Sequence, residues 1–292
     1  MQTTPLRSHA PVADGYLTTR DRLKLYYRER LVPEPRGHVI LVHGVSEHYG
    51  RYRHVEDFLA GAGYSFHFHD LRGHGQSEGR RVFVDRFERY LEDLDLLVAH
   101  VERSARGPIF LVGHSLGGLI AVRYLETRQA RFAGCVLSGA ALMATLKPPL
   151  PVFLALRAIS RFRPEMPVPG LVPARFISRD TDVVVRYMAD PLVPKWLTTG
   201  FGMASLDAME QSLADAQRID LPMLILHGGD DRLVTKRASE ELYRRARSTD
   251  KTLRIYPGLY HELFNEPERH TILDEVLGWL EARRAAPANP RA

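Results

Sequence analysis

The sequence predicts an α/β fold in which helices cover both faces of a mostly parallel central sheet and a cap is inserted over one edge. Two observations support this class. Along most of the chain, short apolar runs alternate with longer segments of helical spacing. The alternation stops between residues 142 and 206, a proline-rich segment too long for a plain loop, and then resumes.

An opening hairpin, from residues 16–19 and 23–30, precedes the alternating elements. The predicted elements that follow are strand 38–42, helix 52–61, strand 64–69, helix 84–103, strand 108–112, helix 115–127, strand 133–137, strand 222–226, helix 236–245, strand 252–256 and helix 271–284. In open sheets of this kind, sites form at the carboxyl ends of the strands. Residues directly after strands are therefore the first candidates for chemistry.

These elements divide the chain into a core and an insertion. The core is predicted at residues 15–141 and 207–284, and the cap at residues 142–206. The cap carries the apolar run Val152-Phe153-Leu154-Ala155-Leu156 among its prolines. We expect residues 1–14 to be an N-terminal extension and residues 285–292 to be a flexible tail.

Composition narrows the class of protein. The 292 residues are 45% hydrophobic and 26% charged, which is ordinary for a globular chain with one large core. The net charge is +5, but the basic residues are dispersed, so no nucleic-acid groove is expected. We find neither an apolar leader nor a transmembrane run, and Cys135 alone excludes an internal disulfide. We expect a cytoplasmic protein that can contact a membrane peripherally.

Residues 113–117 read Gly-His-Ser-Leu-Gly, with Ser115 at the centre. The predicted strand before this motif and the predicted helix after it give the strand–turn–helix context of a nucleophile elbow, in which a strained turn exposes the serine hydroxyl. The alternative is a serine that caps a helix after a buried strand.

A serine nucleophile needs a base that is itself oriented by an acid. Asp231 and His261 each lie just past a predicted strand and follow Ser115 in the chain order expected for this architecture. We favour Asp231 as the acid over its neighbour Asp230, because an acid three residues after Gly228 has the spacing expected for this architecture. The alternative for Asp230-Asp231 is a helix N-cap and first turn. His261 would take the proton from Ser115.

Two backbone N–H groups should stabilise the developing oxyanion. Leu116, directly after the serine, is one predicted donor, and Val45, in the loop after the strand at residues 38–42, is the other. The alternative for His43-Gly44 is a simple turn.

No cofactor or metal is expected. His67, His69, Asp70 and His74 are suitable ligand types, but their spacing matches no metal motif. We interpret residues 70–79 as a structured loop tied by Asp70 and Arg72. The absence of a G-x-G-x-x-G after the first strand and of a Walker lysine disfavours nucleotide binding.

With these residues in place, the chain resembles the monoacylglycerol lipases of the α/β-hydrolase superfamily, whose bacterial relatives are often described as lysophospholipases. The matching strings are His43-Gly44-Val45-Ser46-Glu47-His48 with Arg51-Tyr52, Asp70 with Gly73-His74-Gly75-Gln76-Ser77-Glu78-Gly79, Gly113-His114-Ser115-Leu116-Gly117-Gly118, Ser178-Arg179, Asp190-Pro191-Leu192, Asp231-Arg232-Leu233, Asp250-Lys251-Thr252-Leu253 and Tyr256-Pro257-Gly258-Leu259-Tyr260-His261. They span roughly residues 15–283 in the expected order.

The resemblance implies an α/β-hydrolase fold, the triad and oxyanion donors named above, and a cap that opens toward membrane lipid. It also places Glu47, Arg51 and Tyr187 near the polar head-group end of an acyl tunnel, and we add His114 to the expected substrate-binding residues. Phe264 departs from the mammalian relatives, which carry a second histidine at that position.

Our main hypothesis is a serine carboxylester hydrolase that cleaves monoacylglycerols through an acyl-enzyme. The alternatives are a lysophospholipase, a general carboxylesterase, a non-catalytic ligand-binding relative, and a membrane-associated interaction module built on the cap.

Overall fold

An eight-stranded sheet forms the centre of the protein, which we describe from a computed structural model covering residues 10–145, 149–169 and 172–284. The strands are β1 Val12–Thr18, β2 Lys24–Arg30, β3 Gly37–Val42, β4 Tyr64–His69, β5 Ile109–His114, β6 Gly134–Ser138, β7 Pro167–Pro169, β8 Trp196–Thr198, β9 Met223–Gly228 and β10 Lys251–Tyr256. The helices are α1 Arg53–Gly61, α2 Glu88–Glu102, α3 Leu116–Arg128, α4 Leu150–Phe162, α5 Thr181–Ala189, α6 Thr199–Asp215, α7 Arg237–Arg245 and α8 Arg269–Glu281.

The sheet order is β1-β2-β4-β3-β5-β6-β9-β10. Strands β1 and β2 are antiparallel to their neighbours, and every pair from β4 to β10 is parallel. The central strands β3 to β6 and β9 are buried along their whole length, as their continuous apolar sequences predicted. This arrangement confirms the predicted mostly parallel sheet.

Helices bury the two faces of the sheet in separate apolar clusters. Helices α2, α3 and α7 pack on the face that presents Ile40 and Leu111, whereas α1 and α8 pack on the face that presents Leu41 and Phe110. Alternate residues of β3 and β5 therefore contribute to opposite clusters. With both faces covered, only the strand ends are left to form a site.

The cap consists of α4, the short antiparallel pair β7–β8, α5 and the first half of α6. The sequence placed the end of the cap at residue 206, but this boundary falls inside α6, which continues without a break to Asp215. The second half of α6 buries Ala208 and Ser212 and joins the apolar cluster that contains α3. Helix α6 is therefore shared by cap and core.

Two further boundaries differ from the sequence prediction. Strand β1 begins at Val12, so residues 12–14 of the predicted N-terminal extension pair with β2. Helix α2 begins at Glu88 rather than at residue 84. The chain before it forms a turn with a positive φ at Val82, whose carbonyl accepts a hydrogen bond from the Thr198 hydroxyl. The rest of the extension, residues 1–9, and the predicted tail, residues 285–292, lie outside the described residues.

No helix in the part of the chain described is long and apolar enough to cross a membrane.

Candidate active site

Ser115 occupies the sharp turn between β5 and α3. Its φ of 52° and ψ of −116° lie in a region that non-glycine residues rarely adopt. The Ser115 N–H donates to the carbonyl of Ser138, and its own carbonyl accepts from Ala141 and Leu119. A Cβ on Gly117 would lie 2.0 Å from the carbonyl oxygen of Val42, so only glycine fits beside β3 at this point. The turn therefore has the geometry predicted for a nucleophile elbow.

His261 and Asp231 meet Ser115 at the carboxyl edge of the sheet. The Ser115 hydroxyl lies 2.8 Å from His261 Nε2, and His261 Nδ1–H donates to Asp231 Oδ2 over 2.7 Å. Asp231 Oδ1 accepts from the N–H groups of Leu233 and Val234. One carboxylate oxygen thus caps the loop while the other orients the imidazole. Asp230, the alternative acid, is exposed to solvent.

Burial and charge have opposite effects on the pKa values of Asp231 and His261, and for both groups charge and hydrogen bonding together outweigh burial. Burial alone would raise the pKa of Asp231, but the positive charge of His261 and hydrogen bonds from His227 and His261 outweigh it and hold the pKa well below its usual range. Burial alone would lower the pKa of His261, and the Asp231 carboxylate outweighs it and raises that pKa above 6.5. The carboxylate therefore stays ionised, and the imidazole is a stronger base than a free histidine.

The predicted oxyanion donors flank the serine. Leu116 is the first residue of α3, so its N–H has no acceptor within the helix. Gly44, just before Val45, packs so close to the site that a Cβ there would lie 3.0 Å from the Ser115 Cβ. The loop after β3 and the start of α3 therefore both reach the space above Ser115.

His43 fixes the peptide that carries the Val45 N–H. Its buried ring donates from Nδ1 to the Gly44 carbonyl over 2.7 Å and accepts at Nε2 from Leu71 N–H over 2.9 Å. Burial, with the nearby His74 ring, holds the pKa of His43 well below its usual value, which keeps the ring neutral so that it can both donate and accept. Because a trans peptide is planar, fixing the Gly44 carbonyl turns the Val45 N–H to the opposite side.

A buried cluster of ionisable side chains lies beside His261. Arg51 hydrogen-bonds Glu262, lies 3.6 Å from Glu47, and has its guanidinium over the ring of Tyr187. Burial raises the pKa of Glu262 and nearby Glu47 adds to the effect, although the charge of Arg51 opposes it. Glu47, Tyr187 and Glu262 line the cavity above Ser115. Arg51 does not line this cavity, but it contacts the two glutamates that do.

His114, the last predicted substrate-binding residue, also lines this cavity. Burial and the nearby His261 lower the pKa of His114 to about 3, so its ring is neutral at physiological pH. Its Nδ1 lies 3.3 Å from the Ser138 hydroxyl, and the rings of His114 and His261 are 4.9 Å apart. His114 therefore contributes an uncharged wall next to the imidazole.

The cavity has a volume of about 490 Å³ and lies between the strand ends and the cap. Its ionisable side chains gather near Ser115 and His261, and Thr198, Thr199 and Ser205 add hydroxyl groups on the side of α6. The remaining wall is mostly apolar and is formed by Val45, Leu116, Ala141, Val152, Leu156, Val168, Ile177, Leu197, Phe201, Met203, Leu206, Met209, Leu233 and Val234. The cavity thus combines a polar end at the serine with an apolar body under the cap.

Specific polar contacts fasten the cap to the loops of the site. The Glu262 N–H donates to the Ile177 carbonyl over 2.7 Å, and the Ser178 hydroxyl donates to the Asn265 carbonyl over 2.9 Å. On the other side, His48 Nε2–H donates to Asp190 Oδ2 over 2.8 Å. The loops that carry His261 and Val45 are therefore each tied to the cap.

Residues 70–79 form the structured loop that the sequence predicted. Asp70 accepts hydrogen bonds from the N–H groups of Tyr49 and Gln76, and Arg72 pairs with Asp93 and Asp21. Among the described residues, no group of three or more His, Cys, Asp or Glu side chains is placed to hold a metal ion.

Sequence reasoning missed two contributors, Glu262 and His227. Glu262 follows His261 directly and is a fully buried acid, and His227 Nε2 lies 3.3 Å from Asp231 Oδ2. His227 could have been found as a polar residue near the end of the continuous apolar strand Met223–Gly228, whereas Glu262 had no signal beyond its position next to His261. Phe264, the predicted departure from the mammalian pattern, packs in the apolar cluster with α1 and α8.

Comparison with known proteins identifies the family. Residues 33–268 match the family described as serine aminopeptidase, S33. The chain is 38% identical over 250 residues to a monoacylglycerol lipase of Mycolicibacterium smegmatis, covering 85% of this chain and 89% of that protein. It is 35% identical over 265 residues to a monoglyceride lipase of Mus musculus, covering 86% and 84%.

A solved structure agrees with these relatives. The monoacylglycerol lipase of Paleococcus ferrophilus superimposes with a TM-score of 0.82 at 34% identity, over 89% of this chain and 99% of that one. These matches confirm the predicted resemblance and fold. The chain therefore belongs to the serine aminopeptidase, S33 family of α/β-hydrolases and is an ester-hydrolysing serine hydrolase related to the monoacylglycerol lipases.

Proposed function

We propose that the protein hydrolyses monoacylglycerols to a fatty acid and glycerol, with Ser115 as the nucleophile. The observation that carries the proposal is the position of the Ser115 hydroxyl, 2.8 Å from His261 Nε2 and at the polar end of an otherwise apolar cavity of about 490 Å³. An acyl chain in that cavity would bring its ester carbonyl to the serine.

The reaction proceeds in two halves. In the first half, Ser115 Oγ attacks the ester carbonyl carbon as its proton passes to His261 Nε2, and the N–H groups of Val45 and Leu116 stabilise the oxyanion. The C–O bond to glycerol then breaks, and glycerol takes the proton from His261. In the second half, water gives its proton to His261 and attacks the acyl-enzyme. Ser115 leaves with that proton, and the fatty acid is released.

The charges at the polar end favour an uncharged head group. Glu47 and Glu262 line the cavity, and the guanidinium of Arg51, which contacts both carboxyl groups, does not line it. Glycerol hydroxyls can donate hydrogen bonds to such carboxyl oxygens. A phosphate in the same place would meet two acids, so a lysophospholipid should be the poorer substrate.

A substrate panel tests this proposal. We expect the wild-type protein to turn over monoacylglycerols faster than diacylglycerol, lysophosphatidylcholine and p-nitrophenyl esters of the same acyl chain. Glu47→Gln should reduce the preference for monoacylglycerol over the p-nitrophenyl ester, because only the glycerol ester has hydroxyls to bind. A wild-type preference for lysophosphatidylcholine would contradict the proposal and favour the lysophospholipase alternative.

We also propose that the cap contacts the membrane surface transiently through α4. Leu150, Leu154 and Phe162 on this helix are 68%, 55% and 83% exposed, and Arg157 and Arg161 lie between them in sequence. An exposed apolar surface with flanking arginines suits the interface of an anionic bilayer. Phe153 and Leu156, from the apolar run that the sequence showed in the cap, are less suitable for this test, because both are only half-exposed and Leu156 lines the cavity.

Vesicle flotation tests the membrane contact. The Leu154→Ser and Phe162→Ser double variant should bind phosphatidylglycerol vesicles less than the wild type, while turning over a water-soluble ester at the same rate. Tyr243→Ser, at an exposed position on α7 of the core, provides the matched control. Equal binding by all three proteins would exclude this surface.

A further inference from the structure

We call the cavity above Ser115 the acyl cavity. A second cavity lies on the other side of helix α6 from it. It has a volume of about 330 Å³ and is bounded by the start of α2, the end of α4 and one face of α6. Its wall is more polar than apolar and includes Asp85, Glu88 and Ser160. None of Ser115, Asp231 and His261 lines it, so it is separate from the catalytic end of the acyl cavity.

Met203 is the one residue, among those that the structure describes, that lines both cavities. At 100° per residue, the α6 residues on the acyl cavity, such as Gly202 and Leu206, face away from those on the second cavity, such as Ala204 and Asp207. Met203 falls at the border between these two faces. The helix itself is therefore the partition, and the Met203 side chain lies where the two cavities meet.

Helix α4 also lines both cavities, one after the other along its length. Val152 and Leu156 line the acyl cavity, and Ser160, four residues further along the same face, lines the second cavity. The two cavities thus follow one another along the crevice between the packed helices α4 and α6. A path from the acyl cavity along this crevice therefore leads past Met203 into the second cavity, whose wall is more polar.

We propose that Met203 closes the far end of the acyl cavity and sets the upper limit of acyl-chain length. The proposal rests on the proposed function for the placement of an acyl chain in the first cavity. In the wild type, a methylene of the acyl chain that extended beyond Met203 would enter the polar second cavity and leave apolar surroundings. Chains up to the limit bury every methylene, and longer chains must bend or expose their ends.

Met203→Ala removes the part of the side chain beyond Cβ and should join the two cavities. A chain that was too long for the wild type can then place its last methylenes in the space that the methionine side chain vacates between α4 and α6. Each methylene buried in that space, before the polar second cavity begins, should raise kcat/KM about fourfold. We therefore expect the ratio of kcat/KM for the stearoyl ester to that for the lauroyl ester to rise about tenfold or more relative to the wild type.

Met209 provides a matched control on the same helix. It is half-buried like Met203 and lines the acyl cavity, but it does not line the second cavity. Met209→Ala enlarges the acyl cavity by the same atoms without opening its end, so its stearoyl-to-lauroyl ratio should stay within about twofold of the wild type. Met203→Phe, which adds volume at the border, should lower the ratio.

The experiment uses p-nitrophenyl esters from octanoate to stearate, with thermal unfolding of each variant to confirm folding. These esters contain no glycerol, so a wild type that cleaves them but not monoacylglycerols would refute the proposed function while the chain-length result still stands. An increased ratio in Met203→Ala and a decreased ratio in Met203→Phe support the proposal. An unchanged ratio in a folded Met203→Ala protein, or an equal rise in Met209→Ala, overturns it. If Met203→Ala fails to fold, an unchanged ratio in Met203→Phe overturns it.

Discussion

The edge of the core sheet and the cap above it are built in contrasting ways. At the sheet edge, Ser115, Asp231 and His261 are nearly or fully buried, and hydrogen bonds fix their reactive atoms. In the cap, α4 fully buries none of its residues and exposes several large apolar side chains. The buried edge holds the groups proposed for catalysis, and the cap, in which α4 is only partly buried, supplies the apolar space for a substrate. A change at the edge should therefore affect chemical steps, and a change in the cap should affect substrate choice.

Removing the charge of Asp231 should produce the largest loss. Asp231→Asn preserves the shape of the side chain but no longer favours the imidazole tautomer that accepts the serine proton, so we expect kcat to fall on the order of 10⁴-fold. KM for a soluble ester should change little. Steady-state kinetics with a short-chain ester will measure both, and a loss confined to KM would show that this acid acts on binding.

Replacing His43 tests whether its ring positions the Val45 N–H by holding the Gly44 carbonyl. His43→Leu frees the Gly44 carbonyl, and we expect kcat to fall roughly 10²–10³-fold, as when one oxyanion donor is removed. His43→Asn keeps a donor near the position of Nδ1 and should recover part of the rate. Kinetics of the two folded variants decide the matter, since equal losses in both would mean that the ring only fills space.

The protonation of His261 should affect activity and stability in opposite ways, because activity needs the neutral imidazole and the folded state favours the protonated one. Because only the neutral imidazole accepts the serine proton, kcat/KM should fall about tenfold per pH unit below a pKa that lies above 6.5. A raised folded-state pKa means that stabilisation by this group is complete below the unfolded pKa and is lost as the pH rises through the folded pKa.

A pH–rate profile and thermal unfolding of wild type and His261→Gln will measure these two dependences. The extra stability of the wild type over the variant should be largest at acidic pH, where activity is lowest. An acidic limb of activity centred below pH 6.5 would contradict the assigned environment of His261.

The smallest effect is expected on the stability contributed by the cap surface. Leu154→Ala on α4 should change the free energy of unfolding by less than about 0.5 kcal/mol, because the side chain is 55% exposed. The control, Leu41→Ala in the buried strand β3, should cost about 2–5 kcal/mol. Chemical denaturation of both variants measures the difference, and comparable losses would mean that α4 is packed as firmly as the core.

The core was predictable because its signals are local. Ser115 follows a continuous apolar strand, and the glycines around it are required by close backbone approach, so the motif and its neighbours determine the turn. Asp231 and His261 could be placed because both follow strands of the same sheet. The choice between Asp230 and Asp231 depended on spacing, and the structure shows which of the two faces the imidazole.

The cap was less predictable because its structure depends on tertiary contacts. Nothing local in α6 signals where the cap ends, since the helix passes from the cavity wall to the core without a break. The partition at Met203 follows from the packing of α4 against α6 and from no sequence motif. The pairing of Arg51 with Glu262 joins residues 211 positions apart and could not be inferred from either one.

Covalent labelling tests most directly the claim that the strained turn and the triad make Ser115 a nucleophile. The wild-type protein should react with a fluorophosphonate and gain the mass of one adduct, located on Ser115 by peptide mass spectrometry. Ser115→Ala, with an unchanged thermal transition, should remain unlabelled and lose nearly all ester turnover. An adduct on another residue, or turnover retained by Ser115→Ala, would contradict the account.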